Sequence, residues 1–575
     1  MKSKQMPALR KFAVFLIPVF IFIITVLLFS PNLSTSSRLQ TDENLYIEAC
    51  LEMLNSKNYL VPVFEGKLRF QKPILFYWFV LSFYKIFGIS IFSARLVSVF
   101  AGAVTTAATY LFSRRIFSPK VAVSSALLLS GNYIYFIYCR AAQTDVVLTM
   151  FTTLSLVLFG IGYFETKGRR KYLFLSFMFA GLAFSVKGGV ALLLTIWPII
   201  LFCLINHDFK FLKNVFRIEN TAIFIILSLW HYIFLLFLFK QQFLHHLLVK
   251  EVSDRISWSL IQTFHHFIFY LKNLLVSSFP FSLLPFLLYF MIPGKRFVIE
   301  ISQYKKKETF LFIIILSISF VFIIFVSKSA QRYIIPAIPF FSILISNSYY
   351  CFTPRSSSID KLQAIFSIIF LVALVIFMGI TVLFFSQSLI PTWMLSISIL
   401  LTLFTTISVY RWTKDYKLFP LVILCSVLLV TYAETLARPY FQMEREKNLI
   451  EGFDFHNKEI YYYQLGKSTR LIINLGTLET HNQIELDGLL NLINYQAYSP
   501  NKRDCVVLTK TSYDSFPLNM QQHLKIERKA FRYNWKDIKY SQKELFDGEK
   551  LNTLLINSRD WLYLVFVLPD KKTLK

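Results

Sequence analysis

The feature that most limits how this chain can fold is a long succession of apolar runs, each near the length of a bilayer-spanning helix. A spanning helix needs about 20 largely apolar residues. The first such run is 12–29, preceded by Lys2, Lys4, Arg10 and Lys11. A cleaved signal peptide would carry an apolar region of about 7–15 residues closed by small side chains. This run is longer and ends in Phe29-Ser30-Pro31-Asn32, so it is expected to be an anchor with a cytoplasmic N-terminus. Further runs lie near 93–113, 121–138, 146–164, 172–186 and 189–205. Others lie near 220–239, 267–292, 309–327, 333–350, 362–385, 393–410 and 418–436. Together they predict about thirteen spans. Composition agrees, with 16% charged and 55% hydrophobic residues in 575. Soluble domains carry about 25% charged residues. A soluble secreted enzyme, a disordered chain and an ordinary nucleic-acid binder are excluded, and a polytopic all-α membrane protein is left.

The net charge of +27 is mostly a topology signal. Arg114, Arg115 and Lys120 fall in one loop, and Lys167, Arg169, Arg170 and Lys171 in another. Lys210, Lys213 and Arg217 form a third cluster, and Lys295, Arg296, Lys305, Lys306 and Lys307 a fourth. Arg355 with Lys361, then Arg411, Lys414 and Lys417, complete the series. Under strict alternation all of them share the side of the N-terminus, as the positive-inside rule requires. No nucleic-acid partner is needed to explain them. The six cysteines are scattered without a CxxC, which argues against a zinc ribbon or a disulfide framework.

This reading divides the chain into a membrane domain, 1–436, and an external soluble domain, 437–575. The tail is mixed polar and charged, with strand-like runs at 459–465, 470–475, 505–508 and 561–567; a small α/β fold is expected there. The first outside loop, 31–92, is predicted to hold two helices lying in the membrane interface, 42–57 and 74–88. In the first of them Leu45, Ala49 and Met53 recur at helical spacing, with Glu48 and Glu52 on another face, the pattern of an interfacial helix.

Charged residues near membrane depth are expensive and are functional candidates by default. Here they gather at the expected outer ends of the spans: Asp42, Glu43, Lys72, Arg95, Arg140, Asp145, Lys187, Glu251, Arg255, Lys328 and Arg332. An ion-coupled carrier would place them near the midplane of repeated helices. Several bland readings compete. Asp42 suits a helix N-terminus, Asp145 beside Thr144 suits a helix cap, and Lys72 suits a snorkelling lysine. Glu251 and Arg255 are four apart and suit a pair on one helix. Lys328 and Tyr333 suit an interfacial belt.

In order along the chain, these motifs resemble the GT-C membrane glycosyltransferases. The likeness is to the bacterial lipid A aminoarabinose transferases and their relatives in the protein O-mannosyltransferase superfamily. It is carried by Asp42-Glu43, Gly66, Gln71-Lys72-Pro73 before Tyr77-Trp78, and Ser93-Ala94-Arg95-Leu96. Arg140 to Asp145, Lys187-Gly188, Glu251 to Arg255, and Lys328 with Arg332-Tyr333-Ile334-Ile335-Pro336 continue it. The resemblance implies an inner-membrane enzyme that moves a sugar from a polyprenyl (undecaprenyl) phosphate donor to an acceptor at the periplasmic face. Lipid A or lipopolysaccharide is the first acceptor class; transfer to a protein hydroxyl is the alternative, and a transporter of lipid-linked sugars is the alternative of another class. It also implies roles: Asp42, Glu43 and Asp145 as catalytic carboxylates, and Lys72, Lys187, Arg255, Lys328, Arg332 and Tyr333 around the donor phosphate. The aminoarabinose transferases tend to have Glu before the Lys-Pro and His after the later Glu; here those positions are Gln71 and Val252. No required metal is therefore expected, with His265 and His266 as ligands if one is present. The same departure leaves the sugar open.

Overall fold

A computed structural model describes residues 8–34, 41–252, 260–278, 282, 306–324, 329–352, 427, 460–463, 482–485, 489, 505–522, 524–533 and 559–567. They fall into two compact units. The first is drawn from Met1–Pro31, Arg69–Phe79 and Arg95–Thr435, the second from Asn32–Leu68, Val80–Ala94 and Leu436–Lys575.

The first unit is helical. Helix α1 is Ala8–Phe29, and α2, Thr41–Ser56, belongs to the second unit. Then come α3 (Leu75–Phe87), which belongs to the second unit from Val80 on, α4 (Ile91–Ile116), which belongs to the first from Arg95 on, α5 (Pro119–Ser130), α6 (Tyr133–Cys139) and α7 (Thr144–Phe164). They are followed by α8 (Arg169–Lys187), α9 (Gly189–Ile205), α10 (Phe209–Val215), α11 (Ile218–His245) and α12 (Leu260–Ser277). The last two are α13, Lys306–Ile324, and α14, Ile338–Phe352. Among the described residues three helical segments are long and apolar enough to cross a membrane: Ile91–Ile116, Thr144–Phe164 and Ile218–Val249. A bent pair, α5 with α6, makes a fourth. The spans expected at 362–385, 393–410 and 418–436 lie outside the described residues, Val427 excepted.

Three expectations need correction. The run 121–138 is not one straight span but two helices bent by 64°. Gly131 caps the first, and the Asn132 side chain accepts from the Tyr135 amide to start the second, so a new helix nucleates where the old one ends. The run 333–350 opens with a 3-10 turn, Gln331–Ala337, around Pro336, because proline cannot supply an amide to an α-helical ladder. The run 220–239 is part of a longer helix whose backbone breaks at Lys240, with φ +41°.

Burial separates the helices by role. Helices α4 and α7 sit inside the unit, while α11 is largely bare, with Ile226, Ile233 and Phe237 exposed. An apolar helix left uncovered by protein faces lipid.

In the second unit, α2 is buried on nearly every side rather than along one stripe: Tyr46, Ile47, Glu48, Cys50 and Leu51 are covered as fully as Ala49 and Met53. A short antiparallel pair, Val63–Phe64 with Lys67–Leu68, turns through Glu65 and Gly66. Both turn residues have positive φ, which matches the twist of a two-residue hairpin and is free of strain only for glycine. Five further strands, numbered β3 to β7 after that pair, form one sheet: β3 (Ile460–Tyr463), β4 (Asn482–Ile484), β5 (Cys505–Thr509), β6 (Leu524–Tyr533) and β7 (Arg559–Val567). Their order is β4-β3-β5-β7-β6, parallel through β4, β3 and β5 and antiparallel beyond. Tyr463, Val506, Leu508, Phe516 and Leu524 supply its core. Three of the four strand-like runs correspond to β3, β5 and β7, and 470–475 lies outside the described residues.

Candidate active site

Helices α7 and α8 are joined by a tight turn and pack side by side, so the first turn of α7 lies beside the last turn of α8. Asp145 is the second residue of α7 and Lys187 the last of α8. The Lys187 ammonium donates to Asp145 Oδ1 at 2.6 Å, and the two side chains are only 8% and 7% exposed. Gln143 occupies the cap position and makes no side-chain cap bond. Asp145 is therefore a buried ion-pair partner, not a helix cap.

The 3-10 turn after α13 brings two more expected residues to the same place. Arg332 Nε lies 3.8 Å from Asp145 Oδ2. The Tyr333 ring lies under both cations, 4.9 Å from Lys187 Nζ and 5.5 Å from the Arg332 guanidinium carbon. An aromatic face attracts a cation by its quadrupole, so Tyr333 holds both without neutralising either. Among the described residues, the Asp145 carboxylate faces two basic side chains, Lys187 and Arg332. Gly188 follows Lys187 with φ +71° and sits so close to the Tyr232 hydroxyl that a Cβ would lie 2.5 Å from it. The turn that presents Lys187 thus excludes a side chain on both steric and conformational grounds.

Lys72 is in the same unit, partly exposed, with its ammonium on the Gln71 carbonyl at 2.8 Å. Its segment is clamped at Phe70, whose ring meets Phe239, Phe243 and His246 at 5.2, 5.5 and 5.7 Å. Arg69 donates to the Tyr77 hydroxyl at 2.8 Å, and Trp78 stacks on Trp230. Arg140, also part of the motif series, donates to the Phe29 carbonyl at 2.6 Å at the end of α1.

In the second unit Asp42 is partly exposed and Glu43 fully buried in the first turn of α2. Glu43 lies near Tyr84, whose hydroxyl is pushed well up by burial, with Cys50 and Glu43 adding to it. Glu52 accepts from the Glu65 amide at 2.7 Å and so pins the hairpin turn. Arg255 and Lys328 lie outside the described residues, as does the Glu251 side chain.

Among the described residues no three His, Cys, Asp or Glu side chains converge as metal ligands would. His265 is exposed, and His266 is buried with its ring 6.3 Å from that of Tyr270.

Sequence reasoning passed over Gln143. It is 1% exposed, and among the described residues neither its amide oxygen nor its amide nitrogen has a hydrogen-bond partner. Leaving a buried polar group unpaired costs about 1–3 kcal/mol, so such a group two residues from Asp145 calls for a function. Nothing in the local sequence distinguishes it from an ordinary loop glutamine.

The family model described as dolichyl-phosphate-mannose-protein mannosyltransferase matches residues 71–234, which include Lys72, Asp145 and Lys187. An uncharacterised protein of Aquifex aeolicus is 30% identical over 465 residues, 80% of this chain and 85% of that protein. The undecaprenyl phosphate-alpha-4-amino-4-deoxy-L-arabinose arabinosyl transferase 1 of Pseudomonas fluorescens is 32% identical over 158 residues, 27% of this chain and 28% of that enzyme. In fold, the chain is similar to the crystal structure of ArnT from Cupriavidus metallidurans bound to undecaprenyl phosphate, with a TM-score of 0.68 at 16% identity over 95% of this chain and 97% of that one. The family model and the arabinosyl transferase likeness each cover part of the chain, and the fold is shared along nearly all of it: the chain belongs to one family with the uncharacterised Aquifex aeolicus protein, has the fold of ArnT, and is similar to the GT-C membrane glycosyltransferases.

Proposed function

We propose that this protein transfers a sugar from a polyprenyl-phosphate donor to a cell-envelope acceptor at the outer face of the inner membrane, lipid A being the first acceptor class. The observation that carries the proposal is the cluster in which the buried pair Asp145 and Lys187 meets the part-exposed Arg332 and Tyr333, two basic side chains beside one carboxylate among the described residues. In the reaction the bond between the anomeric carbon and the phosphate oxygen breaks, the acceptor oxygen bonds to that carbon, and the phosphate leaves with one more negative charge. Cations fixed in place before that charge develops stabilise the transition state without reorganising. Lys187 and Arg332 fill this role, Tyr333 orients them, and Asp145 positions them rather than acting as a base. Lys72 is proposed as a further phosphate ligand. Asp42, the more accessible of the two motif carboxylates, is assigned to the acceptor, and the buried Glu43 to support of its helix. Arg255 and Lys328 keep their assignment from the motif order.

The charges sit at helix ends rather than at mid-span, which favours an enzyme over a carrier that moves lipid-linked sugars. No obligatory metal is proposed, because Gln71 is a neutral amide and a poor ligand beside the carboxylate it replaces. A hydroxyl acceptor on protein is the second reading, favoured by the description of the family model. It differs in chemistry, since a hydroxyl must lose a proton to a base as it attacks, whereas a lipid phosphate is already anionic.

Mass spectrometry of lipid A from cells with and without this protein tests the proposal. A sugar-sized increment present only with the protein supports it. Unchanged lipid A, together with a lost sugar on an envelope protein, would replace lipid A by the hydroxyl acceptor.

A further inference from the structure

The end of the α7–α8 pair opposite Asp145 and Lys187 has its own chemistry. From Asp145 to Phe164 helix α7 rises about 30 Å, the thickness of a bilayer's hydrocarbon core. The turn after α7 therefore lies at the other membrane surface. A cleft of about 750 Å3 opens there, lined by Thr166, Arg169, Arg170, Lys171, Phe174 and Glu219. Its cations are held in different ways. Arg170 pairs with Glu219 at 3.1 Å, and Arg217 reaches the same carboxylate at 2.8 Å. Arg169 donates to the Gly162 carbonyl and lies over the Phe211 ring. Lys171 is exposed. The neighbouring acid, Glu165, is already taken by Arg115. Three basic side chains (Arg169, Arg170 and Lys171) thus line the cleft with one carboxylate, Glu219, which Arg170 shares with Arg217.

The cleft also adjoins an apolar surface. Helix α11 starts beside Glu219 and carries an uncovered stripe, Ile218, Ile225, Ile226, Leu229 and Ile233, with Ile218 85% exposed. Phe174 supplies an apolar patch inside the cleft itself. A soluble anion would match the charge alone and make no use of the adjoining lipid-facing stripe. A membrane lipid matches both.

We propose that this cleft binds the phosphodiester headgroup of an anionic glycerophospholipid, with an acyl chain along the α11 stripe. The site is separate from donor chemistry and does not depend on which sugar is transferred. A cation near such a headgroup contributes about a fivefold gain in affinity.

The test is lipid retention by the purified full chain in native mass spectrometry, with phosphatidylglycerol and phosphatidylethanolamine as probes. Wild type should retain phosphatidylglycerol at least tenfold more strongly. Arg170→Gln with Lys171→Gln should weaken that retention about 25-fold while leaving the chain monodisperse and donor turnover unchanged. Lys210→Gln with Lys213→Gln, basic positions on the same side that do not line the cleft, should change it less than twofold. Equal retention of the two lipids would overturn the proposal, as would equal losses in the two double variants, which would show a diffuse surface charge. Full displacement of phosphatidylglycerol by millimolar inorganic phosphate would also overturn it, by making the cleft a free-anion site. If the Arg170/Lys171 variant is not monodisperse, Ile218→Ser with Ile225→Ser decides. It should lose phosphatidylglycerol while Arg170 and Lys171 remain, and normal retention there would refute the stripe's part.

Discussion

Removing one member of the Asp145–Lys187 pair should do far more damage than removing both. At 2.6 Å and an effective dielectric of about 20, the Coulomb attraction is ~6 kcal/mol. Burying the two ions costs several kcal/mol each, so little net stability remains in the intact pair. A lone survivor keeps its burial cost without its partner, and breaking such a pair typically costs ~3–5 kcal/mol. The two single variants should differ. In Lys187→Met the stranded carboxylate still has Arg332 at 3.8 Å, which places the loss near the lower end. In Asp145→Asn the buried Lys187 ammonium loses the carboxylate it donates to and Arg332 loses the same neighbour, which places the loss near the upper end. The double variant should recover most of the loss, because the two buried charges of the pair go together and only the part-exposed Arg332 loses a neighbour, at 3.8 Å. Thermal and denaturant unfolding in detergent, alongside donor turnover, reads both properties. Turnover should fall in Lys187→Met and stay low in the rescued double variant, since the phosphate has lost a cation either way. Single losses below about 1 kcal/mol, the range of an exposed pair, would refute the reasoning. A double variant no more stable than either single would do the same.

Glu52 supplies a pH test. Burial raises its pKa despite the opposing hydrogen bonds from the backbone of Glu65 and Gly66, so the charged carboxylate costs stability in the folded state. That cost is present at neutral pH and disappears as pH falls through the raised value toward the ordinary ~4.3. Glu52→Gln should unfold at higher temperature than wild type at pH 7, with the difference closing near pH ~4.3; a difference independent of pH would show that the amide acts through packing. Gln143→Leu should leave stability unchanged or raised, because it removes an unpaired buried amide, while reducing turnover; a loss of stability would reveal a bridging water and no role in the site. Lys72→Ala should abolish transfer with membrane insertion intact, and normal turnover at saturating donor would make Lys72 an interfacial anchor only. Treatment of the purified protein with a strong chelator should preserve most activity, whereas near-complete loss restored by zinc would argue for histidine ligands such as His265 or His266.

The sequence carried the helices better than their junctions. The apolar runs at 93–113, 146–164, 172–186 and 189–205 correspond closely to α4, α7, α8 and α9, because burial in lipid or protein demands the same side chains along the whole length. The bend between α5 and α6 was less visible. Gly131-Asn132 is a strong turn signal, but the apolar residues on both sides outweigh it in any window as long as a span. Helix α2 misled through its charges. Glu48 and Glu52 suggest a wet face, yet Glu48 is buried and Glu52 accepts from the hairpin turn at Glu65.

The site was legible as residues and not as pairs. Asp145, Lys187, Arg332 and Tyr333 stand out as polar groups at the ends of apolar runs. Their contact depends on how α7 and α8 pack and where the 3-10 turn falls, neither of which one sequence specifies. Arg140 has the same composition signal as Lys187, and the structure shows it donating to the Phe29 carbonyl at the end of α1. Gln143 left no signal at all, since its significance comes only from the partners it lacks.

The most direct measurement of the central claim uses purified protein and an undecaprenyl-phosphate-linked aminoarabinose or hexose, with lipid A as acceptor, analysed by mass spectrometry. The account predicts sugar-modified lipid A and free undecaprenyl phosphate in equal amounts with wild type, and neither above background with the Asp145→Asn/Lys187→Met variant. Equal product from wild type and that variant would contradict the claim that this cluster stabilises the departing phosphate.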